Sequence, residues 1–459
     1  VLNAIFIVLI VGSVVTAACF DAFPQLRAAL GPVAPGDADS SAMRAVAAAS
    51  IDSAKSAVTL AISLVGGMAL WLGLMRVVRD AGGLDTLARW LAPVMRRLFP
   101  DVPADHPAMG AMILNMASNM LGLGNAATPF GLKAMSELEK LNPHPGVSTN
   151  SMALFLAINT SGVAVLPLGV IVLRGTLDSA SPGAIVLPSI LATMASTIVA
   201  ISVAKWLQRR PGYSPDRFVD DSAAESESGP TLADGIRGLD EAEQVAEIRT
   251  ESSRWRSLVT LGLLFLVVAL FAKAAFESPE NGLGMLQLFL DPWLLPLLMA
   301  AIVLLGFSRR VRVYESLIQG AREGFDIAIM IIPFLVAILV AVGMFRASGA
   351  LGLLIHVLQP LTSAVGVPAE VLPMALVRPL SGSGAFGIMT ETMQSYGPDS
   401  FIGYIVSVLN GSTETTFYVL AVYYGSVRIR AIRHTMAACL CADAAGFAAT
   451  IALCWIFFA

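Results

Sequence analysis

The sequence predicts an all-α polytopic membrane protein with two inverted-topology repeats, re-entrant hairpins and interfacial amphipathic helices. Three observations carry that prediction: composition, an internal repeat and the sidedness of the basic residues. Of 459 residues, 56% are hydrophobic and 14% charged, with a mean hydropathy of +0.74, far from the balance of a soluble globular chain. Apolar runs of the ~20 residues that cross a bilayer recur along the chain, with charges gathered between them.

Hydropathy puts spans near 1–19, 56–78, 150–173, 184–206, 257–276, 286–307, 326–345, 400–424 and 434–458. The first run lacks a basic leader and an A-x-A cleavage site, so it reads as a retained helix rather than a signal peptide. Two further segments, 108–130 and 371–390, are apolar but crowded with Asn, Ser, Gly and Pro, which makes them poor straight helices. Residues 207–256 are hydrophilic, with Asp220, Asp221, Glu225, Glu227, Asp240, Glu241 and Glu243 among Ser, Gly and Pro, and read as a solvated linker. The formal charge of −4 is small and the basic residues sit at run ends, so nucleic acid is not an expected partner. Cys19, Cys439, Cys441 and Cys454 all lie in apolar runs without metal-type spacing to a histidine, and read as buried thiols.

The repeat is visible letter by letter. Shifting the first half by 267 positions places Ala54-Lys55 on Ala321-Arg322, Arg79 on Arg346, Gly82 on Gly349, Leu91 on Leu358 and Pro93 on Pro360, without a gap. With small gaps, Gly122-x-Gly124 falls on Gly382-x-Gly384, and Asn159 and Ser161 fall on Asn410 and Ser412. The expected organisation is a first repeat over 1–206, the linker over 207–256, an extra connecting span at 257–276 and a second repeat over 285–459.

Cytoplasmic loops carry an excess of Lys and Arg, which orients the chain. Four clusters mark that side: Arg76 to Arg97, Lys205 to Arg256, Arg309 to Arg322, and Arg428 to Arg433. They agree only if 108–130 and 371–390 each enter and leave on one side, the first from the cytoplasm and the second from outside. The halves then have opposite topology, and the N-terminus is expected in the cytoplasm. Before each hairpin runs an amphipathic stretch, with Leu84, Leu87, Leu91 and Leu98 in one and Leu351, Leu354 and Leu358 in the other. Such stretches either lie along the membrane interface or pack as ordinary helices on the bundle.

Backbone that leaves the helix at membrane depth is tolerated where protein covers it or a polar cavity takes it. Two facing hairpins therefore predict a site at the midplane, where inverted-repeat transporters use half-helix ends as ligands. The candidate substrate-binding residues are Asn115, Asn119 and Asn125 of the first hairpin, Arg378, Ser381 and Ser383 of the second, and two polar interruptions of later spans. Those interruptions supply Asn159, Thr160 and Ser161 in one, and Asn410, Ser412, Thr413 and Glu414 in the other. A carboxylate at membrane depth is costly and faces a partner or a wet cavity. Arg378 is the natural partner of Glu414, and Glu414 and Asp443 are the candidates for ion coupling. Small polar residues of this kind also serve simply to pack helices together. His106, His144, His356 and His434 are scattered, and neither an H-E-x-x-H pair, a G-x-S-x-G elbow nor a G-x-x-x-x-G-K-[ST] loop occurs. No enzymatic activity, cofactor or metal is expected.

The segments HPAMGAMILNMASNMLGLGNAATPFGLKAM from His106 and FLAINTSGVAVLP from Phe155 resemble the spore maturation protein A family. The segments EGFDIAIMIIPFLVAILVAVGMFRASGAL from Glu323, RPLSGSGAFGIM from Arg378 and NGSTETTFYVLAVYYGSVRIR from Asn410 resemble spore maturation protein B. The chain thus looks like a natural fusion of the two, within the nucleoside recognition, or Gate, superfamily. That resemblance implies a transport-like fold with re-entrant hairpins, related to concentrative nucleoside transporters and to the membrane part of ferrous iron transporters. It implies residence in a bacterial inner membrane and, in spore formers, a link to spore core dehydration. Three readings stay open: a secondary transporter or channel for a small polar solute, anionic or nucleoside-like, at the midplane; a binding or scaffolding protein in spore or envelope maturation; and a flippase for a lipid-linked envelope precursor. By analogy with related transporters, partners would include the lipid bilayer and a second copy in a homo-oligomer.

Overall fold

The computed structural model describes residues 2–23, 25, 41–122, 127–162, 165–215, 217–218, 254–277, 293–363 and 366–458. Most of the predicted linker and the candidate Asn125 lie outside them. Among the described residues the chain is nearly all helical, as the composition predicts. The first repeat comprises α1 (Leu2–Ala22), α2 (Ala42–Asp80), α3 (Gly83–Leu98), α4 (Pro107–Met120), α5 (Ala127–Lys140), α6 (Asn150–Thr160), α7 (Leu168–Thr176) and α8 (Val186–Leu207). After α9 (Arg254–Glu277), the second comprises α10 (Leu294–Ser308), α11 (Val313–Ala347), α12 (Ala350–Ser363), α13 (Leu372–Val377), α14 (Gly382–Tyr396), α15 (Phe401–Ser412), α16 (Thr416–Ser426) and α17 (Thr435–Phe458).

Helices α2 and α11 run for 39 and 35 residues. At 1.5 Å per residue they measure roughly 58 and 52 Å, well beyond the ~30 Å of a hydrocarbon core. The predicted spans 56–78 and 326–345 are therefore the C-terminal parts of longer rods. Ser41 caps α2 by accepting from Arg44 N, and Asp21 at the end of α1 accepts from Ala42 N at 2.6 Å, which fixes where the rod begins. Among the described residues, α2, α8 and α17 are each long and apolar enough to cross a membrane unaided. Segment Leu335–Ala347 joins Ala350–Val357 through a 74° bend, so α12 turns sharply off the rod, as an interfacial helix must. Its counterpart α3 leaves Trp90 and Val94 exposed.

The inverted symmetry can be read from the packing of α2 on α11. Arg76 meets Glu323 at 2.8 Å, Gly320 lies against Leu72 and Arg76, and Gly343 lies against Ser53. Partners on α11 fall in number as those on α2 rise, so the rods are antiparallel. Under the 267-residue shift Ser53 corresponds to Gly320 and Arg76 to Gly343, so the 53–343 and 76–320 contacts are one contact made twice. A two-fold axis has that property.

The axis also passes through the broken spans. Gly162 has φ +68°, and a Cβ there would come within 3.0 Å of the Thr413 backbone. The shift that superposes Asn159 on Asn410 superposes Gly162 on Thr413, so each break meets its own counterpart. Close approach and a left-handed φ both call for glycine at 162. Farther along, a Cβ on Gly446 of α17 would come within 3.3 Å of Ser196 of α8, one residue from the position that the same shift makes equivalent to Ser196.

Each half also clasps a loop of the other. Arg174 at the end of α7 reaches Pro398 O at 2.6 Å and Asp399 at 2.7 Å, between α14 and α15. Beyond α16, Arg430 N donates to Gly146 O at 2.8 Å and Ser148 N to Ala431 O at 2.9 Å, between α5 and α6. The four basic clusters gather at one end of the bundle. Arg76 and Arg79 bind Glu323, Gly306 packs on Val77, Lys205 Nζ donates to Leu98 O, and Arg433 Nε donates to Tyr213 O.

Candidate functional site

Broken helices need new partners for the carbonyls and amides that the breaks set free, because an unpaired buried backbone group costs about 1–3 kcal/mol. Five such ends converge here: the C-termini of α4, α6 and α15 and the N-termini of α7 and α14. They enclose a cavity of about 250 Å³ lined by Asn119, Asn159, Arg378, Phe386, Asn410 and Glu414, with the backbone of Gly122, Gly162, Gly169, Gly382 and Gly411. Five of the candidate residues named from sequence thus share one cavity, drawn from four separate segments.

The carboxamides are only partly engaged. Asn119 Nδ2 donates to Asn159 Oδ1 at 3.0 Å, and Asn159 Nδ2 donates to Phe155 O at 2.9 Å, so the first-half pair is fixed in orientation. Asn410 Oδ1 is buried and has no hydrogen-bond partner. A buried acceptor without a donor is a gap that a solute N–H or O–H would fill.

Arg378 is buried, and most of its donors serve the break. Its Nε donates to Thr413 Oγ1 at 3.2 Å and its Nη2 to Asn410 O at 3.0 Å and to Thr413 O. Those carbonyls end α15, where the helix dipole is negative, so the guanidinium caps the broken helix. Glu414, the expected partner, stands 3.8 Å away with its side chain 47% exposed, which makes it a loose counter-charge facing the cavity rather than a clamped pair.

Other candidates lie near the cavity without lining it. Thr160 Oγ1 donates to Ala157 O, Ser161 pairs with Thr197 at 2.8 Å, and Ser412 pairs with Thr450 at 3.2 Å. The two serine–threonine pairs tie α6 to α8 and α15 to α17, and their serines are equivalent under the shift that superposes Asn159 on Asn410. Ser381 caps α14 by accepting from Gly384 N, and Ser383 lies 3.5 Å from it. Thr413 Oγ1 donates back to Leu409 O at 2.7 Å. Asn115 is fully buried in the first hairpin, donating to Ala127 O at 2.8 Å and to Tyr423 OH at 3.4 Å. Asp443 Oδ2 accepts from Thr416 Oγ1 at 2.7 Å, while its Oδ1 is buried without a partner.

Three contributors escaped the sequence reading. Phe386 adds an aromatic wall to the cavity, and Thr193 donates to Ser161 O at 2.9 Å and to Gly162 O, taking the carbonyls freed at the end of α6. Arg174 is fully buried, bonded to Asp399 and stacked 4.6 Å over the Tyr404 ring. A basic residue just past a span end reads as a topology signal, and its partner lies 225 positions away.

Comparison with known proteins now assigns the family. The nucleoside recognition (Gate) family model matches residues 61–177 and 328–430, the two stretches that build both hairpins and both broken spans. Spore maturation protein B of Bacillus subtilis (strain 168) is 47% identical over 165 residues, covering 36% of this chain and 93% of that protein. Spore maturation protein A of the same organism is 45% identical over 157 residues, covering 34% of this chain and 80% of that protein. The chain belongs to the nucleoside recognition, or Gate, family. It joins regions related to spore maturation proteins A and B in one polypeptide. No solved structure matches this Gate-family chain significantly.

Proposed function

We propose that the chain is a secondary transporter or channel for a small polar solute, bound in the cavity where the broken helices converge. One observation carries the reading: the unsatisfied carbonyl of Asn410 in a polar cavity built from both repeats. A cavity of about 250 Å³ suits a small molecule. Carboxamides offer both donors and acceptors, Phe386 offers a face to a planar ring, and two helix N-termini favour partial negative charge. A nucleoside-like or weakly anionic solute meets all three. The contact of each break with its own counterpart on the symmetry axis supports alternating access, because a two-fold pair of repeats can exchange conformations around a fixed site.

The proposed setting is a bacterial inner membrane with the basic end of the bundle in the cytoplasm. Ala17 and Phe20, late in α1, pack with Ala42 and Val46 at the opposite end, which supports a cytoplasmic N-terminus. Asp443, with one buried oxygen unpaired, and Glu414, exposed to the cavity, are the groups proposed to couple a proton or cation to movement.

Reconstituted vesicles tested with labelled nucleosides and organic acids decide the matter. Uptake by the intact chain and its loss in Asn410→Ala is the expected result. If no solute moves, and Arg378→Ala with Asn410→Ala leaves cellular function intact, the transport reading fails. The scaffolding reading then takes its place, favoured by the way Ser161 and Ser412 spend their hydroxyls on contacts between helices.

A further inference from the structure

The inverted repeat supplies an internal control, because any feature at one end of the α2–α11 pair can be compared with its counterpart at the other. At the basic end Arg76 is the hub of an ion cluster. It meets Glu323 at 2.8 Å, Asp80 at 3.2 Å and Gln319 at 3.3 Å, and Arg79 also reaches Glu323 at 3.4 Å. At the opposite end lies a polar cavity of about 290 Å³, larger than the midplane cavity and separate from it.

The 267-residue shift shows where that second cavity comes from. Arg76 corresponds to Gly343, Glu323 to Ser56, and Asp80 to Ala347, and all three small residues line the cavity. Side chains that fill one end are cut back at the other, while Arg79 and Gln319 persist as Arg346 and Asp52. The hollow therefore has the place of a missing guanidinium.

Its charges suit the same group. Arg346 is held by Glu391 at 3.0 Å and by Ser395, and Glu391 is buried. Two carboxylates, Asp52 and Glu391, face one guanidinium, which leaves the lining with an excess negative charge. Lys55 stands 3.8 Å from Asp52 with both side chains 74% exposed, a loose, water-screened pair that leaves Asp52 available among the residues lining the cavity. Where Gln319 accepts from Arg76 through an amide oxygen, the hollow end presents the stronger acceptor of a carboxylate.

We infer that this end cavity is a binding site for a small organic cation with a guanidinium or alkylammonium head, seated where Arg76 sits in the other repeat. The head lies against Asp52, with Glu391 as a second carboxylate and Arg346 holding Glu391 in place. This site is independent of transport through the midplane cavity.

Ligand-observed saturation-transfer NMR on the full chain in nanodiscs tests it, with methylguanidinium as probe and N-methylurea as its neutral control. Methylguanidinium is expected to receive saturation and N-methylurea to receive none. Asp52→Asn, an exposed change that leaves folding intact, weakens binding about tenfold, the scale of one lost charge-assisted contact. The triple variant S53G/S56E/G343R rebuilds the filled cluster and abolishes binding, whereas Asn410→Ala leaves it unchanged. Absence of transfer to methylguanidinium in the intact chain overturns the site. Equal transfer to N-methylurea, or undiminished binding in D52N, does the same.

Discussion

The two broken spans do the same job with different groups. Where α6 ends, the freed carbonyls of Ser161 and Gly162 are taken by the hydroxyl of Thr193, and that of Thr160 by Glu414 N. Where α15 ends, the carbonyls of Asn410 and Thr413 are taken by Arg378. The shift that superposes Gly122 on Gly382 puts Ser118 at the place of Arg378, and the Ser118 hydroxyl is buried without a partner. One repeat thus closes its break with neutral groups, a hydroxyl from a neighbouring span and a backbone amide of the opposing break, and the other closes it with a charge from its own hairpin. A charge needs a counter-charge or polar surroundings at membrane depth, so the second repeat brings Glu414 to the cavity and makes the site asymmetric.

Removing the guanidinium breaks this comparison hardest. Arg378→Ala strands two buried carbonyls and is expected to cost about 3 kcal/mol, seen as a lowered melting temperature in detergent, with loss of solute uptake. Arg378→Lys keeps the charge but lacks the fork, and restores only part of that stability. Arg174→Ala should come close behind at about 3 kcal/mol, because it uncouples the loop at Asp399 and empties a fully buried position. Gly162→Ala forces a side chain onto the Thr413 backbone at an unfavourable φ, for about 2 kcal/mol, measured in the same melts. Smallest is Thr193→Val, the neutral counterpart of the first variant, at about 1 kcal/mol with uptake retained. If Thr193→Val proves as damaging as Arg378→Ala, the two caps carry equal weight and the asymmetry has no energetic meaning.

Much of this is legible in the amino-acid sequence. Fold class followed from hydropathy, and the inverted repeat from matched Arg, Gly, Pro and Asn positions. Polar residues placed where straight helices could not run mark the convergence of the broken helices, and five of those residues line one cavity. What stayed hidden were pairings across long sequence separations. Arg378 and Glu414 do pair, at 3.8 Å, but the closer partners of the guanidinium are backbone carbonyls that carry no letter in the sequence.

The sequence by itself determined that the chain lives in a membrane, that it was duplicated and where it must break. Composition, period and charge placement are local or additive properties, so they survive without coordinates. Only the tertiary structure decided which polar groups face the cavity and which are spent on holding helices together. It alone set Gly343 and Ser56 opposite one another, where the other repeat holds Arg76 and Glu323, leaving one end of the pair hollow and the other filled. A two-fold axis compares residues that sequence order keeps far apart, and packing about it is a property of the folded molecule.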